Sequence, residues 1–187
     1  MCGIAGLIHR GKTVDIGSEM QGMLQALKHR GPDSTGYALY GEGSQGDYIL
    51  RFKVGENVKE GSTAANEEKA VYDERRKQVD KHIRDLGADI LQDQQLTPYS
   101  FRYVIKYDKD LMEFSKKIES VEMTEILSLG KTLELVKDIG DANVVSKQYG
   151  LDKIKGTHAI GHSRMATESG VDIRSAHPFW GYPFSDV

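Results

Sequence analysis

The chain has 187 residues, of which 39% are apolar and 28% charged, with a formal net charge of −3. These values suit one globular domain, or one domain with a large insertion, and the slight acidity excludes an electrostatic footprint for nucleic acid or an anionic membrane. No run approaches the roughly 18 apolar residues of a membrane span, and no charged region leads into an apolar core as in a signal peptide. A single cysteine and six scattered histidines offer neither a disulfide framework nor a zinc set, so a reducing cytoplasm is the expected setting.

The first chemical signal is Met1-Cys2-Gly3-Ile4-Ala5-Gly6. A residue as small as Cys2 permits removal of Met1, which would place a thiol and a free α-amine on one terminal residue. A free α-amine titrates at about 7.7–8.0, low enough to act as a base near neutrality and take the thiol proton. Gly3 to Ile8 reads as a short buried strand. Asp15 is placed to cap a helix whose apolar positions Ile16, Met20, Met23, Leu24 and Leu27 line one face. That helix should stop near Lys28-His29, ahead of Pro32.

His29-Arg30-Gly31-Pro32-Asp33-Ser34-Thr35-Gly36 is a turn rich in polar chemistry, and the apolar strand Tyr37–Tyr40 follows it. Gly41 to Gly46 reads as a hairpin connection that returns through Tyr48 to Val54. From Gly55 to about Gly156 the character changes. Glu67 to Asp85 predicts a solvated helix with a thin apolar stripe (Val71, Val79, Ile83, Leu86), ended by Gly87. Phe101, Tyr103, Ile105 and Tyr107 alternate as on a half-buried strand. Leu111 to Ile118 suits a helix and Val121 to Leu129 a strand, and Asp141 is placed to cap a last helix toward Gly150. This segment, 55–156, is expected to be a small α/β insertion without chemistry of its own. It contains no phosphate-binding glycine motif and no internal repeat.

The third signal is Thr157 to Glu168, where a short apolar strand ends at Arg164. A guanidinium there suits bidentate capture of a carboxylate, and Thr167 adds a hydroxyl close in sequence. Ser175 to Phe179 forms a loop, and Phe184 to Val187 reads as the opening of another strand.

Together, Cys-Gly-Ile-Ala-Gly, His-Arg-Gly-Pro-Asp-Ser-Thr-Gly, Gly-His-Ser-Arg-Met-Ala-Thr and Ala-His-Pro-Phe resemble the class II glutamine amidotransferases, which are N-terminal-nucleophile hydrolases. The resemblance covers roughly 1–54 and 157–187. It implies an α+β fold, a four-layer αββα sandwich, with 2–54 and 157–187 as a partial amidotransferase domain around the 55–156 insertion. It further implies that Cys2 attacks the side-chain amide of L-glutamine, that Arg164 binds the substrate α-carboxylate, and that Thr167 neighbours it. Arg30 and Gly31 match the turn that packs against the terminal Cys. Asp33 and Ser34 match supports of that turn, and His177 matches a motif position near the pocket. Ala176-His177-Pro178-Phe179 looks most like the amidotransferase portion of glutamate synthase, although the Arg-Gly-Pro-Asp turn also looks like asparagine synthetase.

The implied reaction feeds ammonia to a synthase subunit or domain. No cofactor is expected in this chain, and any flavin or iron–sulfur cluster would belong to the partner. A non-catalytic amino-acid-binding scaffold on the same fold is the alternative. The family's oxyanion Asn-Gly pair and its amine-binding Asp find no match within 187 residues, which leads to the expectation of a chain truncated at its C-terminus.

Overall fold

The computed structural model describes residues 2–44, 47–56, 64–166 and 171–181, with side chains from residue 67 in the third stretch. Among them the order is β1 (Gly3–Ile8), α1 (Ile16–Ala26), a 3-10 turn (Lys28–Arg30), β2 (Ser34–Gly41), β3 (Tyr48–Lys53) and α2 (Ala64–Asp85). Then come β4 (Asp89–Gln95), β5 (Ser100–Lys106), α3 (Leu111–Ile118), β6 (Glu125–Gly130), β7 (Leu133–Ile139), α4 (Ala142–Tyr149), a second 3-10 turn (Leu151–Lys153) and β8 (Gly156–Arg164). The strands form two antiparallel sheets of four, ordered β1-β8-β2-β7 and β4-β5-β3-β6.

Helix α1 buries Ile16, Met20 and Leu24, spaced by one turn, and leaves Met23 41% exposed. With Val145 and Tyr149 of α4 these side chains pack on Ala5, Tyr37, Leu39, Val136 and Ala159 of the first sheet. Each such fully buried side chain contributes roughly 1.5–3 kcal/mol. Asp15 precedes α1 without a side-chain capping bond, whereas Asp141 caps α4 by accepting from Asn143 N and Val144 N, at 3.0 and 3.1 Å. The second sheet is covered in the same way. Val79, Ile83, Phe114 and Ile118 from α2 and α3 meet Leu50, Phe52, Phe101, Tyr103 and Ile105. On α2, Tyr72 is buried where the expected stripe had Val71, which is exposed.

Between the sheets lies a smaller cluster of Ala38, Leu127, Leu133 and Leu135. The layers therefore run helix, sheet, sheet, helix, an α+β arrangement compatible with the expected αββα sandwich. The same interface carries buried charge. Glu134 on β7 takes Arg51 Nη2 at 2.6 Å and Arg102 Nε at 2.8 Å. Burial pushes the Glu134 carboxyl up, but the two guanidinium groups outweigh it and bring its pKa down to about 2. Nearby, Glu125 is shared by Lys53 at 3.2 Å and Lys137 at 3.0 Å.

No β2–β3 hairpin forms. β2 pairs with β7 and β8, while β3 pairs with β5 and β6, so the connection crosses from one sheet to the other. Both strands are buried over most of their length, and each is satisfied only as an interior strand of its own sheet. The segment 55–156 shares both sheets with its flanks. It supplies β4, β5 and β6 beside β3 in one, and β7 beside β2 in the other. The strand expected at 184–187 lies outside the described residues. Among the described residues, no helix is long and apolar enough to cross a membrane.

Candidate active site

Strand alternation decides what faces the second sheet. On β2 the residues Tyr37 and Leu39 pack under α1, so Ser34, Gly36 and Ala38 face the other way. On β8 the residues Ala159 and Gly161 pack toward α1, where Leu24 and Met20 approach Gly161, and His162 and Arg164 share the face of Ser34. Register then aligns the rows. Ser34 is opposite Arg164, and Gly36 and Ile4 flank His162 from either side. Gly3 is opposite Ser163, so Cys2 stands one step beyond, level with Arg164. An exposed thiol and a guanidinium that is 8% exposed thus come to the same end of one sheet.

The turn before β2 holds this end together. Arg30 Nε donates to Cys2 O at 3.4 Å, tying the first described residue to the 3-10 turn. Gly31 is extended (φ 175°, ψ 96°), so its need for glycine is steric; a Cβ there would lie 2.4 Å from the Arg164 carbonyl carbon. Asp33 donates its N–H to Arg164 O at 3.1 Å and accepts from Ala166 N at 2.8 Å through Oδ2. Its own carbonyl accepts from Gly140 N at 2.9 Å, which links the turn to the end of β7. Asp33 therefore fixes the chain as it leaves Arg164.

His177 arrives from the loop after β8. Its carbonyl oxygen lies 1.9 Å from where a Gly36 Cβ would be, so only glycine lets the loop cross β2 there. Its ring is 4.8 Å from that of His162 and 4.7 Å from that of Phe179, over which Lys137 Nζ sits at 4.3 Å. Burial, then the neighbouring His177 and Arg164, pushes the His162 pKa down. Burial, then Lys137 and Arg164, does the same to His177. Both imidazoles are therefore held neutral near pH 7, beside cationic Arg164 and Lys137. Asp172 is held below the usual carboxylate range, first by Ser175, whose N and Oγ donate at 2.7 and 2.6 Å, and further by Arg164 and Lys53.

Cys2, Arg30, Gly31, Asp33, Ser34, Arg164 and His177 are all brought together here, and Thr167 lies outside the described residues. His162, Gly36 and Asp172 were not singled out from the sequence. For His162 the available signal was its position two residues before Arg164 on the same strand face. Among the described residues, no cluster of His, Cys, Asp and Glu could hold a metal ion. Chemically, Cys2, the buried Arg164 and two neutral imidazoles share one end of the sheet, a set of groups suited to holding a small carboxylate while a nearby carbonyl is attacked.

The fold and site thus define an α+β protein of two antiparallel sheets in which Cys2, just before edge strand β1, and Arg164, at the end of its neighbour β8, reach the same end of the first sheet. No family model matches the chain. Over its whole length it is 33% identical to a Methanothermobacter thermautotrophicus protein named "Putative glutamine amidotransferase", of which it spans 59%. Over 96% of its length it is 26% identical to "Glutamine amidotransferase-like protein GlxB" of Rhizobium meliloti, spanning 54% of it. A shorter stretch, 40% of the chain, is 32% identical to 13% of the glutamine–fructose-6-phosphate aminotransferase (isomerizing) of Methanococcus maripaludis. The chain therefore spans a little over half the length of the two relatives it matches most fully, and these likenesses support an enzyme of the glutamine amidotransferase kind.

Proposed function

We propose that this chain carries the glutaminase half-reaction of a class II glutamine amidotransferase, on an N-terminal-nucleophile fold. The observation that carries the reading is the placement of Cys2 level with Arg164 at one end of the first sheet. After loss of Met1, the Cys2 α-amine takes the thiol proton and Sγ adds to the glutamine side-chain carbonyl carbon. The tetrahedral intermediate collapses with transfer of that proton to the leaving nitrogen, which departs as ammonia and leaves a γ-glutamyl thioester. Water, deprotonated by the same amine, then cleaves the thioester to glutamate and restores the thiol.

Arg164 anchors the α-carboxylate with Thr167 beside it, and Arg30 with Gly31 orients the terminal residue. Asp33 and Ser34 support the turn, and His177 closes the pocket over Gly36. Ammonia passes to a synthase partner, and the Ala176-His177-Pro178-Phe179 motif favours one of the glutamate-synthase kind. The parts of 55–156 remote from the site, α2, α3 and β4, are assigned to contact with that partner.

The test is Cys2→Ala in the assembled enzyme. Glutamine-dependent synthesis should be abolished while ammonia-dependent synthesis persists, and intact-mass spectrometry of the active wild type should show Met1 removed. Wild-type glutaminase turnover in Cys2→Ala, or an active enzyme that retains Met1 throughout, would overturn the mechanism.

A further inference from the structure

We propose that Ser34 and His162 are two further substrate-contacting residues, which flank Arg164 and hydrogen-bond the same α-carboxylate; this rests on the assignment of Arg164 made above. Both lie on the sheet face that carries Arg164. Ser34 is directly opposite it on β2, and His162 is two residues before it on β8. Ser34 is fully buried and His162 is 8% exposed, yet Ser34 Oγ and His162 Nδ1 have no hydrogen-bond partner among the described residues. Buried polar atoms are nearly always partnered, and two orphans on residues next to one buried arginine, one across the strand pair and one along β8, point to a shared missing partner.

The donor count fits. An ionised carboxylate offers about four lone-pair sites, and the planar fork of an arginine occupies two of them. A serine hydroxyl and the N–H of a neutral imidazole are suited to the other two. Burial and the adjacent positive charges hold His162 neutral, so it donates from Nδ1 in the tautomer protonated there. Opposite His162, the place a Gly36 side chain would take is filled by the His177 carbonyl, which closes that end of the row. This row of donors is thus suited to a free carboxylate on a small amino-acid amide, with Ser34 and His162 deciding how firmly that end is held.

The experiment is calorimetric titration of L-glutamine and of glutaminamide into Cys2→Ala protein, which binds without turnover, with and without Ser34→Ala or His162→Phe. Each added substitution should weaken glutamine about tenfold or more and change glutaminamide little. Each should leave the ligand-free melting temperature unchanged or raised, because it deletes a buried polar atom that has no partner. Ser34→Ala is nearly isosteric and keeps the test valid if His162→Phe folds poorly. Unchanged glutamine affinity in Ser34→Ala, or a lowered melting temperature with equal losses for both ligands, would overturn the proposal while leaving Arg164 as the anchor. Failure of the Cys2→Ala parent to bind glutamine at all would instead remove the glutamine-site reading, and this proposal with it.

Discussion

Replacing Gly31 by alanine isolates the contact that sets the distance between the turn bonded to Cys2 and Arg164, the proposed carboxylate anchor. The backbone at Gly31 is extended, so alanine adopts it without conformational strain. Its Cβ, however, would stand 2.4 Å from Arg164 C, 2.6 Å from Met165 N and 2.8 Å from Arg164 O, where ordinary contact begins at 3.4 Å. Main chain must therefore move by about 1 Å, and the Asp33–Arg164 and Ala166–Asp33 hydrogen bonds, now 3.1 and 2.8 Å, stretch with it. Overpacking of this kind costs about 1–3 kcal/mol. A misplacement of about 1 Å at a positioning group costs about 100-fold in rate.

Gly31→Ala is thus expected to lower glutaminase kcat/KM by roughly that factor at a temperature where the fold remains intact, with a modest fall in Tm. Gly22→Ala is the control, because a Cβ there meets nothing within 4 Å and alanine should stabilise α1 by about 0.5–1 kcal/mol. Wild-type kcat/KM in Gly31→Ala would refute the view that this close approach positions Arg164.

Two more outcomes follow from the same geometry. Arg164→Lys keeps a charge but loses the fork, and should raise KM for glutamine at least tenfold with a smaller change in kcat, while turnover of glutaminamide is little affected; equal penalties for both substrates would make Arg164 structural. Glu134 has a folded-state pKa depressed from 4.5 to about 2, so its contribution, about 3 kcal/mol, is present above pH 4.5 and lost as pH falls toward 2. Glu134→Gln should cost about that much at pH 7 and flatten the acid-unfolding profile in that window, and an unchanged profile by circular dichroism would sink the assignment.

How far the sequence could be read depended on whether a signal was local. Asp141 and Gly150 bracket α4 as expected, with Gly150 in the left-handed region at φ 62°. α1, α3, β5 and β8 also follow their apolar spacing, whereas β1, expected as a buried strand, is an edge strand that leaves Ile4 and Ile8 exposed. β4 and β7 carried no such signal. β4 is a polar, exposed edge strand, and β7 buries Glu134, Lys137 and Asp138, whose partners come from elsewhere in the chain. The crossing between β2 and β3 was unreadable for a related reason, since a short polar connection looks the same whether it returns to its own sheet or enters another. At the site, the residue types of Cys2, Asp33 and Arg164 announced themselves. The importance of Gly36 and His162 depends on which residues lie opposite them on neighbouring strands far away in sequence, and only the register supplies that.

The pairing of β1 with β8 has a consequence for biosynthesis. Of the described strands β1 leaves the ribosome first, but its only partner among them is β8, from Ile8 opposite His158 to Gly3 opposite Ser163. At about 5–20 residues per second, roughly eight to thirty seconds of translation separate the two. During that interval Cys2 precedes an unpaired strand and stands apart from Arg164. The first of the described strands to be made is thus among the last to be secured, and the end of the sheet that carries Cys2 and Arg164 is completed only when β8 arrives.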